Sequence, residues 1–400
     1  MNKPENLKYE EMYKLGTEPL SIEDCVSPEY FEEERQKLFK RAWICVGRED
    51  DIPKAGDHFV RDIDVLQTSI IVVRGKDDKI RAFHNICPHR LNKLVPGSEG
   101  NTRKFMCKFH GWTFDLDGTL SHCSNKDLFA DFDESKFSLP SIHADLWEGF
   151  IFINVAEQPK ENLKQWLGGM YDQFEGYWDD MVLRGKWSAV VNCNWKLYVD
   201  ANTEAYHAPT LHAETLRDSF ASPDNPNCAF NTVRLLGRHR IGSVYANPNY
   251  KPNPMEELTF KIAETPLYPA TSATTGHLPP GVNPSRNPAW AFDVDVVFPN
   301  LQFGAANGWC LVFFYWPLSV NKTLFEARTY MYKPETAGDI ISQEYTLAHV
   351  RDVLREDMST LEGTQQMMES GVLKYIQLCD EEITVRHNHV SVANFIAEAD

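Results

Sequence analysis

Short runs in which apolar and polar residues alternate fill the chain between residues 43 and 156. Four of these runs occupy 68–74, 80–85, 112–115 and 149–154. Alternation with a period of two predicts β-strands with one buried face, and intervening sequences such as Asp117-Gly118 predict hairpin turns. We therefore expect a small antiparallel β domain in this part of the chain.

The remaining chain combines helical and strand patterns. Helical spacing occurs at 28–40, 161–177 and 195–211, and β-rich runs occur at 229–246, 289–298, 301–317 and 323–333. A proline-rich stretch, 247–288, shows few regular signals and predicts a long loop. A long helix is predicted over 336–369. The pattern indicates an α+β protein whose larger part has an antiparallel sheet flanked by helices.

Composition narrows the functional classes. Apolar residues make up 42% of the chain and charged residues 24%, as in an ordinary soluble globular protein. The formal net charge of −17 argues against nucleic acid or an anionic membrane surface as the main partner. The longest apolar run, 309–318, is too short to span a bilayer, and residues 1–16 lack an apolar region, so no secretory signal is expected. Nine cysteines, an odd number, do not suggest a disulfide framework, so we expect reduced thiols and a cytoplasmic location.

Two cysteines and two histidines form the first candidate metal site. Cys87 and His89 stand two residues apart, and Cys107 and His110 stand three apart. Two thiolates on one iron of a [2Fe–2S] cluster and two imidazoles on the other are the ligand set of a Rieske centre. A structural zinc site is the alternative. Zinc sites commonly begin with a C-x-x-C pair, whereas here each loop contributes one cysteine and one histidine, which favours the cluster.

Two further histidines form the second candidate site. His207 and His212 are five residues apart, so a helical turn that loosens at Pro209 would aim both rings at one point. With a distant carboxylate they would form the two-histidine, one-carboxylate arrangement that binds non-haem iron(II) and leaves positions open for dioxygen. The residues alone do not identify which of the 57 acidic side chains provides that carboxylate. An electron-transfer cluster together with an oxygen-activating iron indicates an oxygenase.

These motifs resemble those of the Rieske non-haem iron oxygenases, in particular the large (alpha) terminal component of the aromatic-ring-hydroxylating type. The cluster loops match as C-P-H-R at 87–90 and C-x-x-H-G-W at 107–112, with Leu91 where a small residue is more usual. Residues 194–212 match the sequence Asn-Trp-Lys followed by an acidic residue and two spaced histidines. The resemblance implies a Rieske domain at 43–156 and a catalytic domain of the helix-grip type at 1–42 and 157–400.

The same resemblance implies the iron ligands. His207 and His212 bind the catalytic iron, and Asp357 on the late helix is the expected third ligand. Asp352 and Glu356 are the alternatives for that carboxylate. Glu362 is expected near the ligands without binding the metal.

Glu204 is implied to connect the two metal centres. In this family a carboxylate three residues before the first iron-ligand histidine hydrogen-bonds that histidine and a cluster-ligand histidine of a neighbouring subunit, here His207 and His110 of the partner subunit. Electrons would then cross between subunits, and a homotrimer is implied, because a head-to-tail interface generates rings. Asp200 is expected near the iron as a second catalytic candidate. Glutamate at 204, where aspartate is commoner, resembles the branch of the family that oxidises quaternary ammonium compounds.

The implied reaction takes electrons from NAD(P)H through a separate ferredoxin or flavin reductase and uses dioxygen to hydroxylate or dihydroxylate a small substrate. Aromatic residues concentrated at 290–316 predict an apolar pocket and favour an aromatic substrate. The alternative is a quaternary ammonium (carnitine-like or betaine-like) monooxygenase or oxidative demethylase. A Rieske electron carrier without catalysis would need only the first domain, so it is disfavoured.

A local excess of positive charge predicts where the reductase docks. Between residues 87 and 114 the chain has one acidic residue, Glu99, and five basic ones. The basic residues are Arg90, Lys93, Arg103, Lys104 and Lys108. Complementary charge steers weak, fast encounters, so these residues are expected to receive an acidic partner; a solvated basic surface is the alternative.

Overall fold

The structure is a computed structural model that describes residues 8–263 and 278–399. Part of the proline-rich stretch predicted as a loop, and part of segment 1–16, lie outside the described residues. The chain forms two compact units. The small unit is Arg35–Trp166, and the large unit comprises the residues before and after it. The predicted division at 43–156 lies inside the small unit and stays a prediction.

The strands and helices are numbered in chain order. The strands are β1 (Leu20–Ser21), β2 (Ile44–Arg48), β3 (Asp57–Ile63), β4 (Thr68–Arg74), β5 (Ile80–His84), β6 (Glu99–Asn101), β7 (Phe105–Met106), β8 (Thr113–Phe114), β9 (Leu120–His122), β10 (Ser141–Trp147), β11 (Phe150–Asn154), β12 (Met181–Val191), β13 (Thr232–Leu236), β14 (His239–Tyr245), β15 (Trp290–Val297), β16 (Leu301–Ala305), β17 (Trp309–Ser319), β18 (Lys322–Tyr332) and β19 (Tyr375–Ile376). The α-helices are α1 (Tyr9–Tyr13), α2 (Glu23–Val26), α3 (Pro28–Glu33), α4 (Leu163–Leu167), α5 (Trp195–Ala201), α6 (Ala208–Leu211), α7 (Arg217–Phe220), α8 (Pro254–Ile262), α9 (Ala337–Glu369) and α10 (Ile383–Ala397).

Antiparallel strands build the small unit, as the alternating pattern predicted. Seven strands pair in the order β2-β11-β10-β5-β4-β3-β6, and three more in the order β7-β8-β9. The run predicted at 68–74 is β4, and the run at 112–115 is reduced to β8 because the Trp112 carbonyl accepts the Cys107 N–H inside a loop. One cluster loop lies between β5 and β6 and the other between β7 and β8.

The large unit has a seven-stranded antiparallel sheet and most of the helices. The strand order is β12-β18-β17-β16-β15-β14-β13. Helix α9 begins where the sequence predicted it, because Thr336 caps its N-terminus and Asp339 completes a capping box. These two units confirm the predicted α+β fold with its small β domain. Within the described ranges, no helix is long and apolar enough to cross a membrane.

Two predicted strands are in fact hairpins. The run at 229–246 is divided into β13 and β14, and the run at 301–317 into β16 and β17. Each turn uses a glycine with positive φ, Gly237 at +67° and Gly308 at +86°, a conformation that other residues adopt at a cost. The turns contain Gly237-Arg238 and Asn307-Gly308, glycine turn signals that the prediction of continuous β runs did not take into account.

Several elements were not predicted, among them helix α8, which lies within the stretch 247–288 that was predicted to be a loop and whose N-terminus is capped by Asn253. In strand β12 the difference in exposure between alternate residues is small, and helix α10 is buried on nearly every side. The buried residues of α10 include Arg386, His387 and His389. A helix with buried polar side chains lacks the one-sided apolar pattern by which helices are recognised in a sequence.

Candidate functional site

The two cluster loops have the same backbone geometry. The N–H of Cys87 donates to the carbonyl of Asn92 and that of Cys107 to the carbonyl of Trp112, both at 2.8 Å. Leu91 and Gly111 occupy equivalent positions, with φ of 61° and 75°. Leu91 therefore adopts a left-handed conformation that normally requires glycine, and its side chain is 71% exposed. This explains the departure from the usual small residue and leaves the ligand positions unchanged.

Four donor atoms in these loops fit a Rieske cluster. The Cys87 and Cys107 side chains are buried, and the His89 and His110 rings lie 4.5 Å apart between centroids. The Nδ1 atoms of both histidines are buried, and neither has a hydrogen-bond partner among the described residues. Buried polar atoms without partners are costly, so their presence in pairs indicates a bound group. Burial raises the pKa of Cys87 to about 11, so its thiolate requires a metal to form at neutral pH.

The surroundings of the cluster loops are apolar, with one polar contact. Trp112 stacks on His89 with ring centroids 4.7 Å apart, and Phe129 packs edge-on against both rings. Asn92 Nδ2 lies 3.8 Å from Cys107 Sγ and donates to it. Hydrogen bonds to cluster sulfur atoms tune reduction potential. This contact was not predictable from the sequence, because it depends on how the two loops meet.

Part of the predicted basic patch is neutralised by acidic neighbours. Lys93 pairs with Asp62 at 2.7 Å, and Lys104 pairs with Asp115 at 3.1 Å. Both acidic residues lie outside the 87–114 segment in which the charges were counted. The local positive charge is therefore smaller than the segment alone indicates.

Helix α5 and the turn after it position the second candidate site. Asn194 caps α5, since its side chain accepts from the Lys196 N–H at 3.0 Å. Trp195 Nε1 donates to Glu34 Oε2 at 3.1 Å, and the Lys196 ammonium forms a fully buried ion pair with the same carboxylate. The Asn-Trp-Lys sequence thus anchors the helix that leads to the histidines.

The structure brings His207, His212 and Asp357 together. The two Nε2 atoms are 3.1 Å apart, and Asp357 Oδ1 lies 3.0 Å from His212 Nε2 and 3.6 Å from His207 Nε2. Atoms bound at about 2.1 Å to one metal, with perpendicular bonds, are about 3 Å apart. The three atoms therefore fit one face of a metal coordination sphere. Pro209 does not loosen a helix here, because it stands in the first turn of α6, where no N–H is needed.

Each histidine of this centre is held by a carboxylate on its other nitrogen. Glu204 Oε1 accepts from His207 Nδ1 in a short hydrogen bond. Glu356 Oε2 accepts from His212 Nδ1 at 2.7 Å and from the Thr215 hydroxyl at 2.6 Å. Carboxylates in this position fix the ring orientation and leave Nε2 free for a metal. Glu356, considered as an alternative ligand, thus lies next to a ligand histidine and not in the three-atom face.

The other two acidic candidates of α9 lie away from the centre. Glu362 accepts from Asn192 and is exposed, and Asp352 pairs with Arg351 at the surface. The expectation for Glu362 was wrong, because five residues of helix rotate a side chain by roughly 140° beyond a full turn from Asp357.

Asp200 belongs to a buried ionic chain. Its carboxylate accepts from His389 Nε2 at 2.8 Å and from Asn388 at 2.9 Å, while His389 Nδ1 lies 2.7 Å from Asp24. Burial alone would lower the pKa of His389, but the two carboxylates outweigh it and raise the pKa to about 10. Asp200 and His389 also line a cavity of about 350 Å³ that reaches Glu204 and His207. The partners of Asp200 were not predictable from the sequence, since Asp24 and His389 are far from it and from each other along the chain.

Two adjoining apolar cavities lie beside the ligands. The first, about 110 Å³, is bounded by the three candidate ligands and by apolar residues such as Phe292 and Phe313. The second, about 70 Å³, shares Phe220 and Phe292 with the first and extends to Trp309. Of the aromatic residues at 290–316, Phe292, Trp309 and Phe313 line cavities. Others, such as Tyr315, are packed in the sheet.

Comparisons with known proteins agree with this geometry. Residues 178–398 match the family described as ring hydroxylating alpha subunit (catalytic domain), and residues 42–132 match the Rieske [2Fe-2S] domain. The oxygenase subunit of carnitine monooxygenase from Acinetobacter baumannii is 33% identical over 46% of this chain and 50% of that relative. The corresponding Escherichia coli K12 subunit is 26% identical over 85% of this chain and 81% of its own length. A solved quaternary ammonium Rieske monooxygenase, described in connection with carnitine oxidation and inter-subunit electron transfer, is 21% identical, with a TM-score of 0.73 over 94% of this chain and 95% of that chain.

Proposed function

The chain belongs to the ring-hydroxylating alpha-subunit family and contains a Rieske [2Fe–2S] domain, and on this premise we propose that it is the terminal oxygenase of a monooxygenase system for a small quaternary ammonium compound. The observation that carries the proposal is the face formed by His207, His212 and Asp357, which opens onto an apolar cavity. The family is one of Rieske non-haem iron oxygenases, so its cofactors are a [2Fe–2S] cluster and a mononuclear iron.

The residues divide the work between two metal centres. Cys87, His89, Cys107 and His110 hold the cluster, which we assign to the domain at 43–156. The mononuclear iron, held by the two histidines and Asp357, supplies the reductive activation of dioxygen. In balance, one substrate C–H bond, O₂, two electrons and two protons give an alcohol and water. The side chains around the open face exclude bulk water and hold the substrate carbon near the ligands.

The electron path is proposed to run between subunits. Glu204 is hydrogen-bonded to His207, and we propose that it connects that histidine with His110 of the partner subunit. This arrangement requires a closed ring of identical chains, and we propose a homotrimer. The solved relative described with inter-subunit electron transfer supports the proposal.

The substrate class follows from the relatives and the cavity. The carnitine monooxygenase subunits favour a quaternary ammonium compound, the alternative already indicated by glutamate at position 204. An aromatic substrate is the second candidate, and the aromatic walls of the two cavities favour it.

The electron donor is proposed to be a separate reductase that uses NAD(P)H. Its docking surface includes Arg90, Arg103 and Lys108, for which no acidic partner is seen in the described parts of the chain, together with Lys93 and Lys104, which are already paired. A cytoplasmic location is supported by nine free cysteines, of which eight are buried.

Reconstituted turnover tests the proposed function. Iron-loaded protein, NADH, a ferredoxin-type reductase and isotopically labelled dioxygen are combined with a panel of quaternary ammonium compounds and a panel of aromatic compounds. We expect oxygen uptake coupled to a product with one labelled oxygen atom, or to the aldehyde that its collapse releases, only with the ammonium panel. Turnover restricted to the aromatic panel would establish the second candidate instead.

A further inference from the structure

The second apolar cavity, which we name the distal chamber, has an unusual lining. Five aromatic side chains and one carboxylate face it: Phe220, Phe260, Phe292, Trp309, Tyr345 and Glu256. Neither the distal chamber nor the cavity at the metal ligands has a lysine or arginine among its described walls. The carboxylate is therefore the main charged group of a chamber whose other walls are mostly aromatic and aliphatic.

Glu256 is buried and fixed in place. Its side chain is on helix α8, and the residue is 6% exposed. The Asn253 N–H and the Tyr250 hydroxyl donate to Glu256 Oε2 at 2.9 and 2.5 Å. These contacts hold the carboxylate against the chamber, where the surrounding apolar atoms strengthen its interaction with any opposite charge.

The basic side chain among the described walls of the chamber, His349, does not compete with a cationic ligand. His349 stacks on Tyr345 with rings 6.4 Å apart, and burial lowers its pKa below the ordinary value. It is therefore neutral at pH 7.

We propose that the distal chamber binds the cationic head of the substrate, with Glu256 as its counter-charge, while the carbon to be oxidised lies in the adjoining cavity at the metal ligands. Quaternary ammonium groups bind to the faces of aromatic rings, and a nearby carboxylate adds attraction at longer range. The two cavities share the walls formed by Phe220 and Phe292, so one extended molecule contacts both. A substrate whose distal end is anionic is disfavoured by the same charge. This inference rests on the proposed function and assigns its specificity to one residue.

Glu256 also caps helix α8, so a purely structural role is the rival explanation. Glu256→Gln separates the two, because glutamine has the same shape and also completes a capping box, yet lacks the charge. Glu257→Gln is the matched control: this neighbouring residue is exposed and pairs with Lys261 at 2.6 Å.

The test compares a trimethylammonium substrate with its neutral isostere, in which a carbon atom replaces the nitrogen. In Glu256→Gln we expect the KM of the cation to rise at least about tenfold, with little change for the isostere or for Glu257→Gln. An unchanged KM for the cation in Glu256→Gln would overturn the assignment. Equal losses for both substrates, with a lower thermal midpoint, would show the structural role instead.

Calorimetric titration with tetramethylammonium tests the chamber without turnover. Binding by the iron-loaded wild type that is lost in Glu256→Gln supports the subsite. Binding that is equal in both proteins, or absent from the wild type, contradicts it. Failure of the proposed function is seen separately, as wild-type protein that turns over no ammonium compound in the reconstituted assay.

Discussion

Removing the carboxylate of Glu356 is expected to weaken the mononuclear metal site from outside its ligand set. Glu356 Oε2 receives hydrogen bonds from His212 Nδ1 at 2.7 Å and Thr215 Oγ1 at 2.6 Å. In Glu356→Ala the His212 ring, whose side chain is 3% exposed, keeps a buried Nδ1–H with no acceptor and loses its fixed orientation. A hydrogen bond to a charged group contributes about 1.5–3 kcal/mol. The affinity for iron(II) should therefore fall by about 10- to 100-fold, as for other carboxylates that orient metal-bound histidines.

The assay is iron(II) affinity by chelator competition under anaerobic conditions, together with the visible absorption of the cluster as a check on the small unit. Glu356→Gln keeps an acceptor oxygen without the charge, so its loss of affinity should be intermediate. Glu362→Gln is the control, because Glu362 is on the same helix but contacts Asn192 and not the site. If Glu356→Ala binds iron(II) as tightly as the wild type, the orienting role of this carboxylate is refuted.

Three further outcomes are expected. Glu204→Gln should retain both metals but slow oxidation of the reduced cluster by dioxygen and substrate in single-turnover mixing, and wild-type kinetics would exclude the bridge. Lys196→Met leaves Glu34 buried without its cation, so the unfolding free energy in urea should fall by about 3–5 kcal/mol. The double variant Lys196→Met with Glu34→Leu should recover much of that loss. An unfolding free energy of Lys196→Met equal to that of the wild type would contradict this. Because folding raises the pKa of His389 from 6.5 to about 10, its stabilising contribution is complete below pH 6.5 and is lost as pH rises through about 10. The unfolding free energy of the wild type relative to His389→Gln should therefore fall over that range, and a constant difference would show that His389 is not ionised in the fold.

Sequence reasoning was strongest where the chemistry is local. The pairs Cys87/His89 and Cys107/His110 each lie within one loop, so their spacing already limits the geometry of the site. His207 and His212 flank a single turn of helix and are likewise close by covalent connection. The third member of the metal face, Asp357, is 145 residues beyond His212 and was reached only through family resemblance.

Contacts that are created by tertiary packing could not be predicted from the sequence pattern. Glu356 is an ordinary helical carboxylate in the sequence, and Glu256 lies in a stretch that was predicted to be a loop. Only packing brings Glu356 to His212 and Glu256 to the distal chamber. His389 lies on a buried polar helix that hydrophobic periodicity does not detect. The hairpin turns within the large sheet were a different case, since Gly237 and Asn307-Gly308 are local turn signals that the prediction of continuous runs passed over.

The most direct test of the account is the content of metal and labile sulfide per chain in anaerobically purified protein, with electron paramagnetic resonance of the dithionite-reduced form. The account predicts about three irons and about two sulfides per chain, with the low average g value of a cluster that has mixed cysteine and histidine ligands. One zinc without sulfide would contradict it, because the loops at Cys87 and Cys107 would then hold a structural metal and could not pass electrons.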